Sequence, residues 1–353
     1  MHKSERSNSE ATIDLLTRLG TWAIGFTELK EELHLTSPEA ETADRRMRFR
    51  NMQLLAPGDE GARSRITQFI STNDNIGNYM PVKAIQNMLG EETDVWNMHR
   101  PIDWDFINSN YKAAVIGGAG LLAKVFNKFW VDCAANCKIP IIVWGVGTCI
   151  VDGLPIEETT CELKPVRSIF ERALMVNVRD ELTADLYGGS IRDQISITAC
   201  PTIYYLRNFE VVAEPKTVTL SVHPDLVNDE THDAIEALCV SKGFTVLRTL
   251  NVQMPDQGLE DIIRNFYCRS ELVIATRLHG AITAYGLGIP YLALPGDEKL
   301  REFQRIYGGG QLFANVDALA ELLAKTHAPL PLPDLSAIQA FGERARIALE
   351  SIG

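Results

Sequence analysis

Long apolar runs are missing from this chain: none reaches the roughly 18 residues that a bilayer-spanning helix needs. The longest apolar stretch, 139–151, is broken by Pro140, Gly145 and Gly147 and reads as a buried strand entering a loop. The opening residues, MHKSERSNSEATID, lack the apolar centre of a secretory signal. A cytoplasmic protein is therefore expected, with the inner face of the membrane as a candidate peripheral location. Basic charge is also scarce: 34 Lys and Arg stand against 46 Asp and Glu, a formal net charge of −12. Such a chain repels a phosphate backbone, which argues against nucleic acid as a partner. A small phosphate-bearing ligand can then be held only by a local cluster of Arg, Lys, His and backbone N–H groups. Ordered cysteine spacing is absent too. The seven cysteines are odd in number and scattered, which speaks against a disulfide framework and fits reduced thiols. Cys133 and Cys137 lie close, but no second Cys/His pair at zinc spacing follows, so no metal is expected. No complete G-x-G-x-x-G fingerprint follows the first strand, which disfavours a nicotinamide dehydrogenase. No bound cofactor is expected.

What is present is a repeating pattern. At 353 residues the chain exceeds the usual growth of one core, so two domains are expected. Residues 1–60 show helical periodicity (Ile13, Leu16, Leu19, then Trp22, Phe26, Leu29 and Leu33), and APGDEG at 56–61 is a breaker. They read as a helical extension, with homo-oligomerisation, lid duty or plain padding of the first domain as its roles. From Arg63 short apolar runs alternate with amphipathic helices: 66–71, 113–116, 140–144, 174–178 and 195–198 read as strands. After a polar break at 207–216 the alternation restarts, with strands at 217–222, 244–247, 272–275 and 291–294. Strand and helix in repetition specify parallel sheets covered on both faces. The predicted fold is α/β, two Rossmann-like domains (GT-B-like) over 61–210 and 211–335. A last helix, within 336–353, is a candidate to cross back to the first domain.

Ligands of parallel sheets sit at the carboxyl ends of strands. The sharpest such element is Leu272-Val273-Ile274-Ala275-Thr276-Arg277-Leu278-His279-Gly280. A strand ends at Ala275, and Arg277 and His279 then face the start of a helix, a place suited to an anion and a proton donor. The alternative is an interface ion pair and an N-cap-region histidine. Arg179 follows the strand 174–178 as a candidate bidentate anion grip, and Asp180 beside it fits a helix N-cap. Gly117, Gly118 and Gly120, and Gly145 and Gly147 one strand later, either let backbone N–H groups approach a ligand or only make tight turns. His223 follows the strand 217–222. Trp96, Trp104 and Trp144 are stacking candidates for a sugar, core packing being the commoner fate.

These segments carry a resemblance. Arg277-Leu278-His279-Gly280, followed by a small-residue helix, Gly288-Ile289-Pro290 and Asp297-Glu298-Lys299, resembles the polysaccharide pyruvyl transferase family. Three more segments agree in order: Thr72-Asn73-Asp74-Asn75-Ile76-Gly77-Asn78, Val115–Leu121 and Val178-Arg179-Asp180-Glu181-Leu182. The likeness covers about residues 66–310 and departs from the family's pattern at Asn78, Ala119, Thr183 and His223, where the family often shows Asp, Gly, Ser and Arg. It implies transfer of a pyruvyl group from phosphoenolpyruvate, as donor substrate, to a sugar acceptor, free or lipid- or nucleotide-linked, with a cyclic ketal and phosphate as products. It implies His279 as general acid, Arg277 and Arg179 as anion clamp, and Lys299 and Asn75 as further substrate contacts. Asp74 is the candidate base. Two other readings stand beside it: a glycosyltransferase using a nucleotide sugar, and a non-catalytic sugar or phosphate binder.

Overall fold

The computed structural model describes residues 62–254 and 256–352. The helical extension expected over 1–60 lies outside the described residues. The first unit runs β1 Ile66–Ile70, α1 Ile76–Leu89, β2 Asp94–Asn97, α2 Trp104–Asn110, β3 Ala113–Gly117, α3 Asn127–Asn136 and β4 Ile141–Val146. It continues with α4 Ile156–Thr159, α5 Leu163–Arg172, β5 Met175–Val178, α6 Glu181–Tyr187, β6 Ser196–Ile197 and α7 Thr202–Leu206. The second unit runs β7 Glu214–Ser221, α8 Asp229–Ser241, β8 Thr245–Thr249, α9 Leu259–Asn265, β9 Ser270–Ala275 and α10 Leu278–Leu287. It closes with β10 Tyr291–Ala293, α11 Glu298–Tyr307, β11 Gly310–Leu312, α12 Val316–Leu323 and α13 Ser336–Glu350.

Both sheets are parallel throughout, in the orders β2-β1-β3-β4-β5-β6 and β11-β10-β9-β7-β8. Their central strands are buried along their length, as helices on both faces require. The sequence pattern gives no strand at β11, and α1 runs through a proline. Pro81 sits in the second turn, where it removes one ladder donor without ending the helix. Asn75 caps that helix by accepting from Gly77 N at 2.9 Å.

The two units share one core. Ile70, Ile76 and Met80 from the first pack in the same cluster as Leu259, Tyr267, Leu278 and Ile282 from the second. α13 reaches back to the first sheet, where Phe341 meets Trp144 edge-on at 5.1 Å between ring centroids. Phe341, Ala345 and Leu349 lie there with Ile66, Ile85, Val115 and Ile142. Phe341→Ala should therefore destabilise the protein by ~3–5 kcal/mol, the cost of emptying an aromatic site that cannot collapse. Denaturant unfolding followed by Trp fluorescence checks this, and a shift below about 1 kcal/mol would mean that α13 is a loose appendage.

Two backbone clamps tie the units together. Ile76 N donates to Asn251 O at 2.9 Å and Gln253 N to Asp74 O at 2.7 Å. Glu298 N donates to Ile150 O at 3.0 Å, and Arg301 holds the Asp152 carboxylate with both terminal nitrogens, at 2.7 and 2.5 Å.

Candidate active site

Between the clamps, at the carboxyl ends of β1, β3, β4, β5, β7 and β9, lies a cleft with a cavity volume of about 150 Å³. Three cations, Arg179, Arg277 and Lys299, line it together with His223, His279 and Cys149. The rest of the lining is uncharged: Ser71, Asn75, Asn78, Gly120, Leu121, Phe126 and Leu278. No carboxylate is among the residues that line it.

Each cation has a local cause. Arg277 is the N-cap residue of α10 in extended conformation, and its Nε donates to Val222 O at 3.1 Å. Its two terminal nitrogens make no hydrogen bond to the described residues and are left for a ligand. Burial pulls its pKa below the ordinary guanidinium value. His279 stands in the first turn of the same helix, only 8% exposed, and its Nε2 is buried without a hydrogen-bond partner. Its ring lies against Gly77 of α1, where an added Cβ would come within 2.5 Å of His279 Cγ. Burial, with Arg179, Arg277 and Lys299 around it, drives the imidazole well below its usual pKa, so it is neutral in the empty cleft.

Arg179 is 5% exposed and fixed from two sides. Its Nη2 donates to Thr148 O at 2.9 Å and its Nε to Asp180 Oδ2 at 3.2 Å. Asp180 caps α6 through Thr183 N at 2.8 Å, as its position after a strand predicts. Thr183, where the related pattern has Ser, uses its hydroxyl to accept from Thr148 N at 2.9 Å. Lys299 enters from the first turn of α11, 2.8 Å from Asp297 Oδ2 and 3.1 Å from Cys149 Sγ. Burial disfavours its ammonium, but Cys149 and Asp297 outweigh that and raise its pKa. His223 points its buried Nδ1 at no partner, the Asp225 carboxylate being 3.8 Å away. Burial, then Arg277, Lys299 and His232, pushes its pKa down to about 2. Where the related pattern often has Arg, this chain therefore carries a neutral imidazole.

Other expected residues fall elsewhere. Asp74 is exposed, accepts from Thr72 Oγ1 at 3.2 Å and does not line the cleft, because Gln253 holds its backbone at the domain contact. Gly117, Gly118 and Gly145 serve packing rather than a ligand: added methyls would strike Ile85, Pro81 and Pro201 respectively. Gly118 and the neighbouring Ala119 both have positive φ, 77° and 62°, which for Ala119 costs about 1–2 kcal/mol. Gly147 is also outside the lining, but a methyl there would overlap the Arg179 guanidinium. Of the tryptophans, Trp96 and Trp144 are fully buried core and Trp104 packs on Phe69 and Phe129. Phe126, Ser71 and Cys149 carried no sequence signal, because Phe126 ends a short 3-10 turn and Ser71 and Cys149 follow strands, and only the fold brings the three to the cleft. Among the described residues no group of three or more His, Cys, Asp or Glu could hold a metal, and no helix is long and apolar enough to cross a membrane.

The pH behaviour follows from these environments. His223 gains its proton near 6.5 when unfolded and near 2 when folded, and His279 is depressed in the same sense. The free protein should therefore lose stability as pH falls below about 6.5. An anion bound among the cations reverses the shift, so binding takes up protons. Calorimetry of phosphate binding in buffers of different ionisation enthalpy should give more protons taken up by wild type than by His279→Asn. Equal uptake would place His279 away from the anion.

Solved structures share the fold at low identity. S. aureus MnaA, solved with UDP, is 11% identical over 81% of this chain and 96% of its own, with a TM-score of 0.51. UDP-GlcNAc 2-epimerase from Methanocaldococcus jannaschii is 11% identical over 82% of this chain and 100% of its own, at 0.48. A UDP-glucosyltransferase from Polygonum tinctorium is 9% identical over 81% and 92%, at 0.41. The likeness to MnaA is one of fold alone, two parallel-sheet α/β domains facing one another. Comparison with curated proteins finds no match. The sequence itself is more specific: the polysaccharide pyruvyl transferase model matches residues 75–298, a span that opens at the cap of α1, closes at the start of α11 and contains Arg179, His223, Arg277 and His279. With more than half of its length matched, the chain belongs to the polysaccharide pyruvyl transferase family.

Proposed function

We propose that this protein moves a pyruvyl group from phosphoenolpyruvate onto two hydroxyls of a sugar, closing a cyclic ketal and releasing phosphate. The observation that carries the reading is His279 Nε2, buried and unpartnered in a cleft with three permanent cations and no lining carboxylate. Phosphoenolpyruvate carries a phosphate and a carboxylate, which Arg277, Arg179 and Lys299 are placed to receive. Their approach supplies the negative charge that lets His279 take up a proton. His279 then gives that proton to the methylene carbon, and the adjacent carbon becomes electrophilic. A sugar hydroxyl near Ser71, Asn78 and Phe126 attacks it. With Asp74 outside the cleft, neutral His223 is the group left to receive the hydroxyl proton. The second hydroxyl displaces phosphate, which carries off that hydroxyl's proton and whose charge the arginines stabilise as it leaves.

The test is phosphate release from phosphoenolpyruvate with galactose, glucose and mannose acceptors, free, lipid-linked and nucleotide-linked. Acceptor-dependent release, with a product mass raised by one pyruvylidene group, is the expected result. Failure of phosphoenolpyruvate to bind in calorimetry, or sugar transfer from a nucleotide sugar without it, would overturn the reading.

A further inference from the structure

Seven cysteines are present, all as free thiols, and six are buried; Cys149 alone is partly exposed, and it lines the cleft. It lies in the loop after β4, and its sulfur accepts a hydrogen bond from Lys299 Nζ at 3.1 Å. Pyruvyl transfer as derived above gives Cys149 nothing to do. Two independent features show that small polar ligands are received beside it. His279, more than nine-tenths buried, aims an unpartnered Nε2 into the same space, and Arg277 offers terminal nitrogens unbound by the described residues. An ammonium in contact with sulfur stabilises the negative charge carried through nucleophilic attack.

We propose that Cys149 is an oxidation site at which a small hydroperoxide switches the anion cleft off. The sulfur attacks one peroxide oxygen. An S–O bond forms and the O–O bond breaks; sulfur is oxidised by two electrons and the peroxide is reduced. With hydrogen peroxide the departing oxygen keeps its own hydrogen, takes the thiol proton and leaves as water, and the product is the sulfenic acid. The new oxygen stands beside Lys299 Nζ and competes with a bound anion for that ammonium. The other six cysteines are buried and offer no accessible partner for an internal disulfide, so a small external thiol reverses the change: it first forms a mixed disulfide with loss of water, and a second thiol then frees Cys149. The inference rests on the cleft as an anion site, not on pyruvyl transfer.

The experiment treats the full reduced chain with hydrogen peroxide, traps sulfenic acid with dimedone and maps the adducts by mass spectrometry, with and without inorganic phosphate. Cys149 should be trapped at least ~10-fold faster than any other cysteine, and saturating phosphate should slow it. Calorimetry on the oxidised protein should give phosphate affinity weakened ~10-fold and restored by dithiothreitol, the loss of one charge-assisted contact. Cys149→Ser and Cys149→Ala should each bind phosphate equally before and after peroxide. Equal trapping across the cysteines, labelling indifferent to phosphate, or unchanged phosphate affinity after complete oxidation would each overturn the proposal. Phosphate protection in a protein that fails to bind phosphoenolpyruvate would leave this site standing and remove the transferase reading alone.

Discussion

His279→Asn is expected to lower acceptor-dependent phosphate release by ~10²–10⁴-fold, the usual worth of a positioned general acid, with the loss in kcat. Asparagine is close in size and keeps a polar group toward the cleft, so the fold should stand. His279 Nε2 has nothing among the described residues to bond to. A buried polar atom left unpaired costs about 1–3 kcal/mol, and such an atom in a cleft marks the place where a ligand completes the structure. Burial first, then Arg179, Arg277 and Lys299, hold the ring well below its usual pKa and keep it neutral. The same three cations attract the substrate whose charge then allows protonation. In the proposed reaction, acid and substrate therefore arrive together, and a proton is not held ready in the free protein. Steady-state kinetics over pH 6–9 separates the outcomes. A raised KM with unchanged kcat would make His279 a binding group and remove its role as acid.

Gly147→Ala should weaken binding of phosphate and phosphoenolpyruvate by ~10–100-fold, as removal of a charge-assisted contact does, while shifting stability by less than about 1 kcal/mol. The added methyl meets the guanidinium of Arg179. That group ends a flexible side chain, so the backbone need not move, and the fold is spared. It cannot stay where it is, however, and moving it breaks the bonds to Thr148 O and Asp180 that aim it. Arg179→Ala should show the same loss, and the double variant should be no worse than either single one, since both act through one guanidinium. Wild-type affinity in Gly147→Ala, measured by calorimetry beside a denaturant curve, would show that Arg179 does not hold the anion.

Most strands were legible because each is a short apolar run with a turn behind it, and the rule that ligands gather at carboxyl ends picked out Arg179, His223, Arg277 and His279. What stayed hidden depends on partners far along the chain. Asp74 reads as a catalytic carboxylate in a family-like turn, but Gln253 binds its backbone and the side chain stays outside. Lys299 reads equally well as a solvated helix residue until Cys149, at the far side of the cleft in sequence, is seen against it. Gly118 and Gly145 look like ligand-facing glycines, and only the folded chain brings Pro81 and Pro201 over them. His223 looks like a conservative replacement for arginine, and its loss of charge comes from neighbours on other loops.

The two backbone clamps bear on how a ligand comes and goes. Domains that hinge freely must spend part of the ligand's binding energy on being brought together, and their turnover waits on reopening. Here Ile76 to Asn251 on one side and Glu298 to Ile150 on the other already hold the walls at working distance. The ordering cost is met once, during folding, and the cations stand preoriented before any anion arrives. Exchange of ligands then becomes a matter of diffusion through a fixed opening, in which the width of the mouth selects what enters.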